Sequence, residues 1–496
     1  MSIRPASYLH VITITGLAIF VSACVSKGMV HENEVFTEEL TELKAFFSIP
    51  GLSATIAQGD EVIYEEFFGY SDLQNKTAVD SQTAFPIASI TKLFSASLIM
   101  KLVEEDRLSL NDPVSEYLPE SGLKNEIKVK HLLSHTSQGD IGNQFYYSFR
   151  FGLLTQIIQK ASGKSFQLLM EEKILQPLKL DDTFLLKDSV QLAQKDTKFA
   201  LPYNLDNGIA DGFIDYGYYT SAGLVSTGRD LIKFAQALKH NSLLTEMSKQ
   251  TIFQGQNNNL PYAYGIFNQE IQGLEVLWVY GQYDSYSSLL LTVPSKDITL
   301  VLLANNNLMS DPARLIMGNL TSSLFAISFL KNYVFEKSNL PLFETKDFSF
   351  TEPNIDDFYR KKVLAQALAE SFMARFNTDK MQISAHLLDE TFSAFPDYIE
   401  YADINLLHNL SFLKSVAFYR ELGEFNQFDT QIEEIGNKVL HEAPNNPYAH
   451  SYLGTFYDRK GDKEKARFHF RSIIEAENFS TSWYTNEAKA WLIDNQ

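Results

Sequence analysis

The sequence predicts an α+β domain, an antiparallel sheet flanked by helices, followed by an all-α repeat-like domain. Three observations carry this. Strand-forming runs stand at both ends of region 46–335 with helical patterns between them. A stretch over 336–355 is rich in Pro, Asp, Glu and Phe and has no period, as a linker would. Beyond it, 356–496 is helical in pattern throughout. At 496 residues the chain exceeds what one core usually organises. The 42 basic against 61 acidic residues give a net charge of −19 without a basic tract, which makes nucleic acid a poor partner.

Taken in order, residues 1–23 have the layout of a signal peptide: Arg4, an apolar run from Val11 to Val21, then small residues. The run is too short to span a membrane. Val21-Ser22-Ala23-Cys24 resembles the bacterial lipobox, which implies lipidation of Cys24 and a membrane anchor. Val25 lacks the aspartate-type retention signal, so the expected address is the bacterial cell envelope, at the outer membrane facing the periplasm. A signal anchor, or a secretory signal with a chance cysteine, is the alternative. Cys24 is the only cysteine, so no internal disulfide forms.

Residues 24–45 read as a tether and first helix, with Leu40, Leu43 and Phe47 at helical spacing. Leu52–Ala57 and Glu61–Phe68 form a hairpin around Gln58-Gly59-Asp60. A helical stripe follows at Ile90, Leu93, Phe94, Leu98 and Leu102, and must stop before Pro113. Glu275–Tyr280, Ser287–Val293 and Ile298–Ala304 are strand candidates of an antiparallel sheet. In the helical region, Leu453, Gly454, Tyr457, Gly461, Ala466 and Phe470 fall where a tetratricopeptide repeat places its packing residues and turn glycine. Ser411–Pro444 is at best a degenerate copy, and Leu364–Phe395 could add a helical hairpin.

Ser-x-x-Lys occurs four times, at Ser89/Lys92, Ser121/Lys124, Ser328/Lys331 and Ser411/Lys414, so spacing alone cannot select a nucleophile. Residues three apart share a helix face, and a lysine of lowered pKa can activate a serine. Ser89 differs by opening the amphipathic helix, where free N–H groups can stabilise an oxyanion. The runs Ile49–Ser53, Phe67–Asp72, Phe85–Lys92, Leu108–Pro119, His131–Ser137 and Ser221–Thr227 resemble the class C β-lactamase family of serine hydrolases. That family includes β-lactamases, D-alanyl-D-alanine peptidases and esterases, so the resemblance implies a β-lactamase/DD-peptidase-like fold and an acyl-enzyme on Ser89.

The family's Tyr-x-Asn motif falls on Tyr146-Tyr147-Ser148, with Ser148 in place of Asn; the other register, Tyr147-Ser148-Phe149, leaves no polar third residue. Tyr146 is thus expected to manage the Ser89 proton with Lys92, and Ser148 to orient them. The Lys/His-x-Gly motif falls on Val279-Tyr280-Gly281, so its cation is missing and recognition of a substrate carboxylate is in doubt. Gly281 would still allow close substrate approach, and the Gln282 N–H would join that of Ser89 in an oxyanion hole. His131 and His135 are four apart but lack a third ligand, so no metal is expected, nor a cofactor. No Gly-x-Ser-x-Gly elbow is present.

The expected function is therefore an envelope serine hydrolase acting on a small acyl, ester, amide, β-lactam or peptidoglycan-derived substrate, with a protein partner possible through the helical repeats. The alternatives are a non-catalytic binding or scaffold protein on a degenerate hydrolase domain, and a chiefly repeat-driven interaction protein.

Overall fold

A computed structural model describes residues 31–256, 259–350, 356–476, 479 and 482–495. The leader, Cys24 and residues 351–355 of the expected linker lie outside them. Twelve strands are present among the described residues: β1 (Gly51–Gln58), β2 (Glu61–Asp72), β3 (Thr77–Ala78), β4 (Phe85–Pro86), β5 (Phe184–Leu185), β6 (Tyr203–Leu205), β7 (Ile209–Asp211), β8 (Leu224–Ser226), β9 (Phe267–Ile271), β10 (Leu274–Tyr283), β11 (Tyr286–Val293) and β12 (Ile298–Ala304). Seven of them form an antiparallel sheet in the order β3-β2-β1-β12-β11-β10-β9. β1 pairs with β12 in the register Leu52↔Ala304, so the two ends of the domain close one sheet.

Alternation along these strands sorts their side chains onto two faces. Leu52, Ala54 and Ile56 of β1, Val276, Trp278 and Tyr280 of β10, and Leu300 and Leu302 of β12 share one apolar cluster. That cluster also takes Phe36, Leu40 and Leu43 from the helix over 31–46, and Phe325 and Phe329 from the Leu324–Phe329 helix. Leu277, Val279, Leu290, Val301 and Leu303 point the other way, into a cluster with Leu93, Phe94 and Leu98 of the Thr91–Glu104 helix and Phe234 of the Gly228–Lys239 helix. The Phe94 and Phe234 rings stack with centroids 3.7 Å apart. The Thr91–Glu104 helix, which follows the turn bearing Ser89, is thereby fixed against the sheet by apolar burial.

The region after 356 is a succession of helices, including Asp357–Met373, Asp379–Ala394, Ile404–Tyr419, Asp429–Glu442, Pro447–Lys460, Lys463–Glu475 and Trp483–Asp494. The Pro447–Lys460 and Lys463–Glu475 helices form a hairpin turned at Gly461, whose φ is +82°. Gly454 lies under the Phe470 ring, where a Cβ would come within 2.8 Å of it. Phe358, Ala365, Ala369 and Phe372 of the Asp357–Met373 helix join the apolar cluster of the sheet's outer face. Two buried ion pairs, Lys331–Glu39 and Lys362–Glu344, both at 2.5 Å, stitch the same seam. The stretch 336–350 has no regular element yet is packed. Leu342 and Phe348 are buried, and Glu344 is tied to Gln366 and Lys362, because the apolar and acidic residues of that composition find partners on the adjoining helix.

Candidate active site

Ser89 sits in a single turn, Ala88–Ile90, that opens into the Thr91–Glu104 helix. Three contacts place this turn. The Ile87 N–H donates to the Leu224 carbonyl of β8 (2.9 Å), the Ser288 hydroxyl of β11 donates to the Ile87 carbonyl (2.9 Å), and the Leu224 N–H donates to Thr91 Oγ1 (3.1 Å). Ala88, immediately before the serine, has φ +43°, a left-handed conformation unusual for a residue with a Cβ. Gly281 of β10 faces the turn so closely that a Cβ there would lie 2.1 Å from the Ile87 carbonyl oxygen. The missing side chain is what lets the strand edge reach the turn that carries Ser89.

Lys92 Nζ donates to Ser89 Oγ at 2.8 Å and to the Ser221 carbonyl at 2.9 Å. It is 3% exposed and lies 5.0 Å from the centroid of the Tyr147 ring. Among the described residues it pairs with no carboxylate, and burial lowers its pKa to about 7. The other three tetrads have different partners. Ser121 donates to the Leu118 carbonyl, Ser328 and Lys331 both bind Glu39, and Lys414 binds Asp429 and Asn426. Ser89/Lys92 is the pair among the four whose amine reaches its own serine.

The tyrosine beside Ser89 is Tyr147, not Tyr146. The Tyr147 phenol is in hydrogen-bonding contact with the Ser89 hydroxyl, which favours its ionised form, but burial dominates and raises its pKa. It is therefore a protonated phenol. His135 stacks on it, with centroids 4.1 Å apart and planes at 25°. Tyr146 points the opposite way, into the core of the helical region, 5.1 Å from the Phe479 ring, with its hydroxyl buried and unpartnered. Adjacent residues of an extended segment alternate sides, so shifting the motif by one residue exchanges the two phenols.

Ser148 also departs from expectation. Its N–H donates to His135 Nδ1 (3.0 Å), and its hydroxyl donates to Gln138 Oε1 (3.1 Å) and accepts from the Arg150 N–H (3.1 Å). It caps the short Phe149–Leu153 helix rather than orienting the Ser89–Lys92 pair. The third position of the motif is Phe149, which is 78% exposed.

β9 pairs with β10 only as far as Trp278, which leaves the edge of β10 from Val279 onward free beside Ser89. A two-residue turn, Asp284-Ser285, joins β10 to β11 with Tyr283 opposite Tyr286. Alternation of bonded and unbonded pairs from that turn aims the Gln282 N–H off the free edge. The Gln282 side chain donates to Asp311 Oδ1 (3.0 Å), which also accepts from Arg314 Nη1 (3.2 Å). Val279, where the family motif has its cation, is buried.

His131 and His135 serve structure. His131 Nδ1 accepts from the Lys128 N–H (3.1 Å), and burial, then Lys130 and Lys128, lowers its pKa to about 4. His135, fully buried, is kept neutral. Among the described residues no group of three or more His, Cys, Asp or Glu is placed to hold a metal ion.

The helical region closes on this site. Tyr448 is buried within electrostatic reach of Tyr147 and Tyr146, its ring 5.5 Å from that of Tyr484, and Tyr484 hydrogen-bonds Gln138. Nothing in the sequence signals that residues some three hundred positions downstream face the catalytic turn. Tyr147 did have a signal, the second register of the tyrosine motif.

The Beta-lactamase family model matches residues 38–316, more than half of the chain. The chain belongs to the Beta-lactamase family. Protein flp of Staphylococcus aureus strain MW2 is 29% identical over an alignment of 307 residues that covers 52% of this chain and 60% of that protein. The chain therefore spans about 60% of the length of that curated relative. A Beta-lactamase of Escherichia coli K12 is 26% identical over 275 residues, covering 49% of this chain and 70% of its own. The structure of the octameric penicillin-binding protein homologue from Pyrococcus abyssi superposes with a TM-score of 0.54 at 24% identity, covering 67% of this chain and 81% of that one. This last likeness is one of fold. The family match ends before the helical region that roofs the Beta-lactamase domain.

Proposed function

We propose that this Beta-lactamase family member is a serine hydrolase that works through an acyl-enzyme on Ser89. The observation that carries the reading is the Lys92 Nζ to Ser89 Oγ hydrogen bond of 2.8 Å, made by a buried lysine that has no carboxylate partner. At neutral pH a large share of this amine is uncharged and can accept the serine proton. As that proton passes to Lys92, Ser89 Oγ bonds to the substrate carbonyl carbon, and the Ser89 and Gln282 N–H groups face the oxygen that gains charge. The C–X bond then breaks, and the protonated Tyr147 phenol supplies the leaving group with its proton. Lys92 then returns a proton to Tyr147 and, as the free amine, takes one from the water whose oxygen bonds to the acyl carbon, while the ester bond breaks and Ser89 Oγ leaves and regains its proton.

Val279 offers no charge to a substrate carboxylate, which supports a neutral acyl donor such as an ester. The lipobox-like Val21–Cys24 supports lipid anchoring in the bacterial envelope, and the helical hairpin at 447–475 supports a repeat-type surface for a protein partner. Fluorophosphonate labelling tests the chemistry. The wild type is expected to be labelled and Ser89→Ala to lose labelling altogether; equal labelling of the two would sink the proposal. A second reading, a non-catalytic binding protein, draws on Val279 and the exposed Phe149 standing at motif positions. It takes over if the wild type reacts with no fluorophosphonate, fluorescent penicillin or p-nitrophenyl ester.

A further inference from the structure

The helical region holds a groove of about 380 Å³ to which the Beta-lactamase domain contributes Arg314 and which Ser89 does not line. Arg314, ion-paired with Asp311 (3.2 Å), lines it together with Tyr452, Trp483, Glu487, Trp491 and the Asp458–Arg459 pair. Arg314 and Glu487 feel each other's charge and both act on the Tyr452 phenol, yet they form no ion pair. The Arg314 side chain is one-third exposed, and the exposed Glu487 carboxylate has no hydrogen-bond partner among the described residues. Trp483 is 42% exposed at the rim, its ring otherwise set against Tyr448 and Tyr484.

Among the described residues, three buried polar atoms on the groove wall lack partners, those of His408, Ser411 and Arg459 Nε. Arg314 Nε donates to His408 Nε2 (3.3 Å), so the neutral His408 ring carries its proton on Nδ1, and that N–H has no acceptor. The Ser411 hydroxyl, buried beside it, is likewise unpartnered. Buried polar groups without partners are rare and mark places where a ligand or water completes the bonding.

We propose that this groove binds a zwitterionic amino acid or dipeptide, its carboxylate on Arg314, its ammonium on Glu487 and its side chain against Trp483 and Trp491. Opposite charges held apart across an aromatic-walled groove match a molecule bearing both charges better than an anion or a cation alone. The volume suits a ligand of that size. The site is linked to the catalytic edge, because Arg314 shares Asp311 with the Gln282 side chain. Binding itself does not depend on the proposed Ser89 chemistry.

Two of the chain's three tryptophans line the groove, so intrinsic fluorescence of the full chain reads occupancy. The test titrates alanyl-phenylalanine, its N-acetyl form and its C-terminal amide into the wild type, Glu487→Gln, Trp483→Ala and Ser89→Ala. The free dipeptide should shift the emission saturably, and each blocked form should bind at least tenfold more weakly. Glu487→Gln should lose at least tenfold for the free dipeptide but little for the N-acetyl form, and Trp483→Ala should weaken both. Ser89→Ala should bind as the wild type does. No saturable shift, equal binding of all three compounds, or affinity unaffected by both groove variants would overturn the proposal. Competition by a fluorophosphonate-labelled Ser89 would instead place the ligand in the catalytic cleft and overturn it too, whereas failure of Ser89 labelling leaves this result intact.

Discussion

Ser89–Lys92 and Ser328–Lys331 share a spacing, a helical setting and a buried lysine, but the surroundings of the two amines are opposite. Lys331 is wholly buried against the Glu39 carboxylate at 2.5 Å, and Ser328 donates to that same carboxylate at 2.6 Å. Lys92 has only neutral oxygens, those of Ser89 and Ser221. A carboxylate partner holds an ammonium in its charged form, whereas burial without one favours the free amine. The same four-residue pattern therefore yields a structural ion pair in one place and a candidate base in the other. The comparison teaches that a candidate base among such lysines is picked out by the carboxylate it lacks.

The largest effect should separate the two lysines. Lys92→Met is expected to slow fluorophosphonate labelling by about 10³-fold or more, within the range for losing a general base, while changing unfolding free energy by about 1 kcal/mol or less. Lys331→Met should leave the labelling rate of folded protein unchanged but cost about 3–5 kcal/mol in urea unfolding, since Glu39 would remain buried and unpaired. If both variants lost labelling without losing stability, the distinction drawn here would fail. Next in size is the tyrosine pair. Tyr147→Phe should slow turnover of a p-nitrophenyl ester by about 10²-fold and Tyr146→Phe by no more than a few fold, as measured by initial rates. The reverse order would restore the first register of the motif.

A pH series sharpens the same contrast. Because burial lowers the Lys92 pKa to about 7, the protonated amine is inactive below that value and the free amine active above it. Labelling should thus climb about tenfold per unit of pH on the acid side and level off above neutrality. A flat profile from pH 5 to 8 would show that Lys92 is not the group being titrated. The smallest effect belongs to Ser148→Ala, expected to cost about 1 kcal/mol through the lost helix cap, with ester turnover within a few fold of wild type. A turnover loss comparable to that of Tyr147→Phe would return Ser148 to the reacting centre.

Much of the fold was legible because the near-continuous apolar runs Val276–Tyr280 and Ile298–Ala304, with the β-rich Leu52–Ala57, are the imprint of strands buried on both faces of a sheet. Ser89 was legible from its place at a helix start. Tyr147 was not, since neighbouring phenols in an extended segment look alike in sequence and only the packed structure says which faces the serine. A preference for a polar third residue favoured Tyr146, and the structure instead places the exposed Phe149 at that position. Ser148 drew the eye as a stand-in for asparagine, although serine before a short helix is equally a cap. The roof formed by Tyr448 and Tyr484, and the Gln282–Asp311–Arg314–His408 chain, join residues far apart in sequence and carry no local pattern.

The seam at the Asp357–Met373 helix bears on how the molecule comes apart. Phe358, Ala365, Ala369 and Phe372 belong to the same apolar cluster as the central strands, and Lys362 is buried beside them. Cutting the chain at the boundary suggested by composition would strip that cover and leave an oily face on the remaining domain. Heat or denaturant should therefore melt both parts in a single cooperative step, so the two regions are separate in pattern and one in thermodynamics.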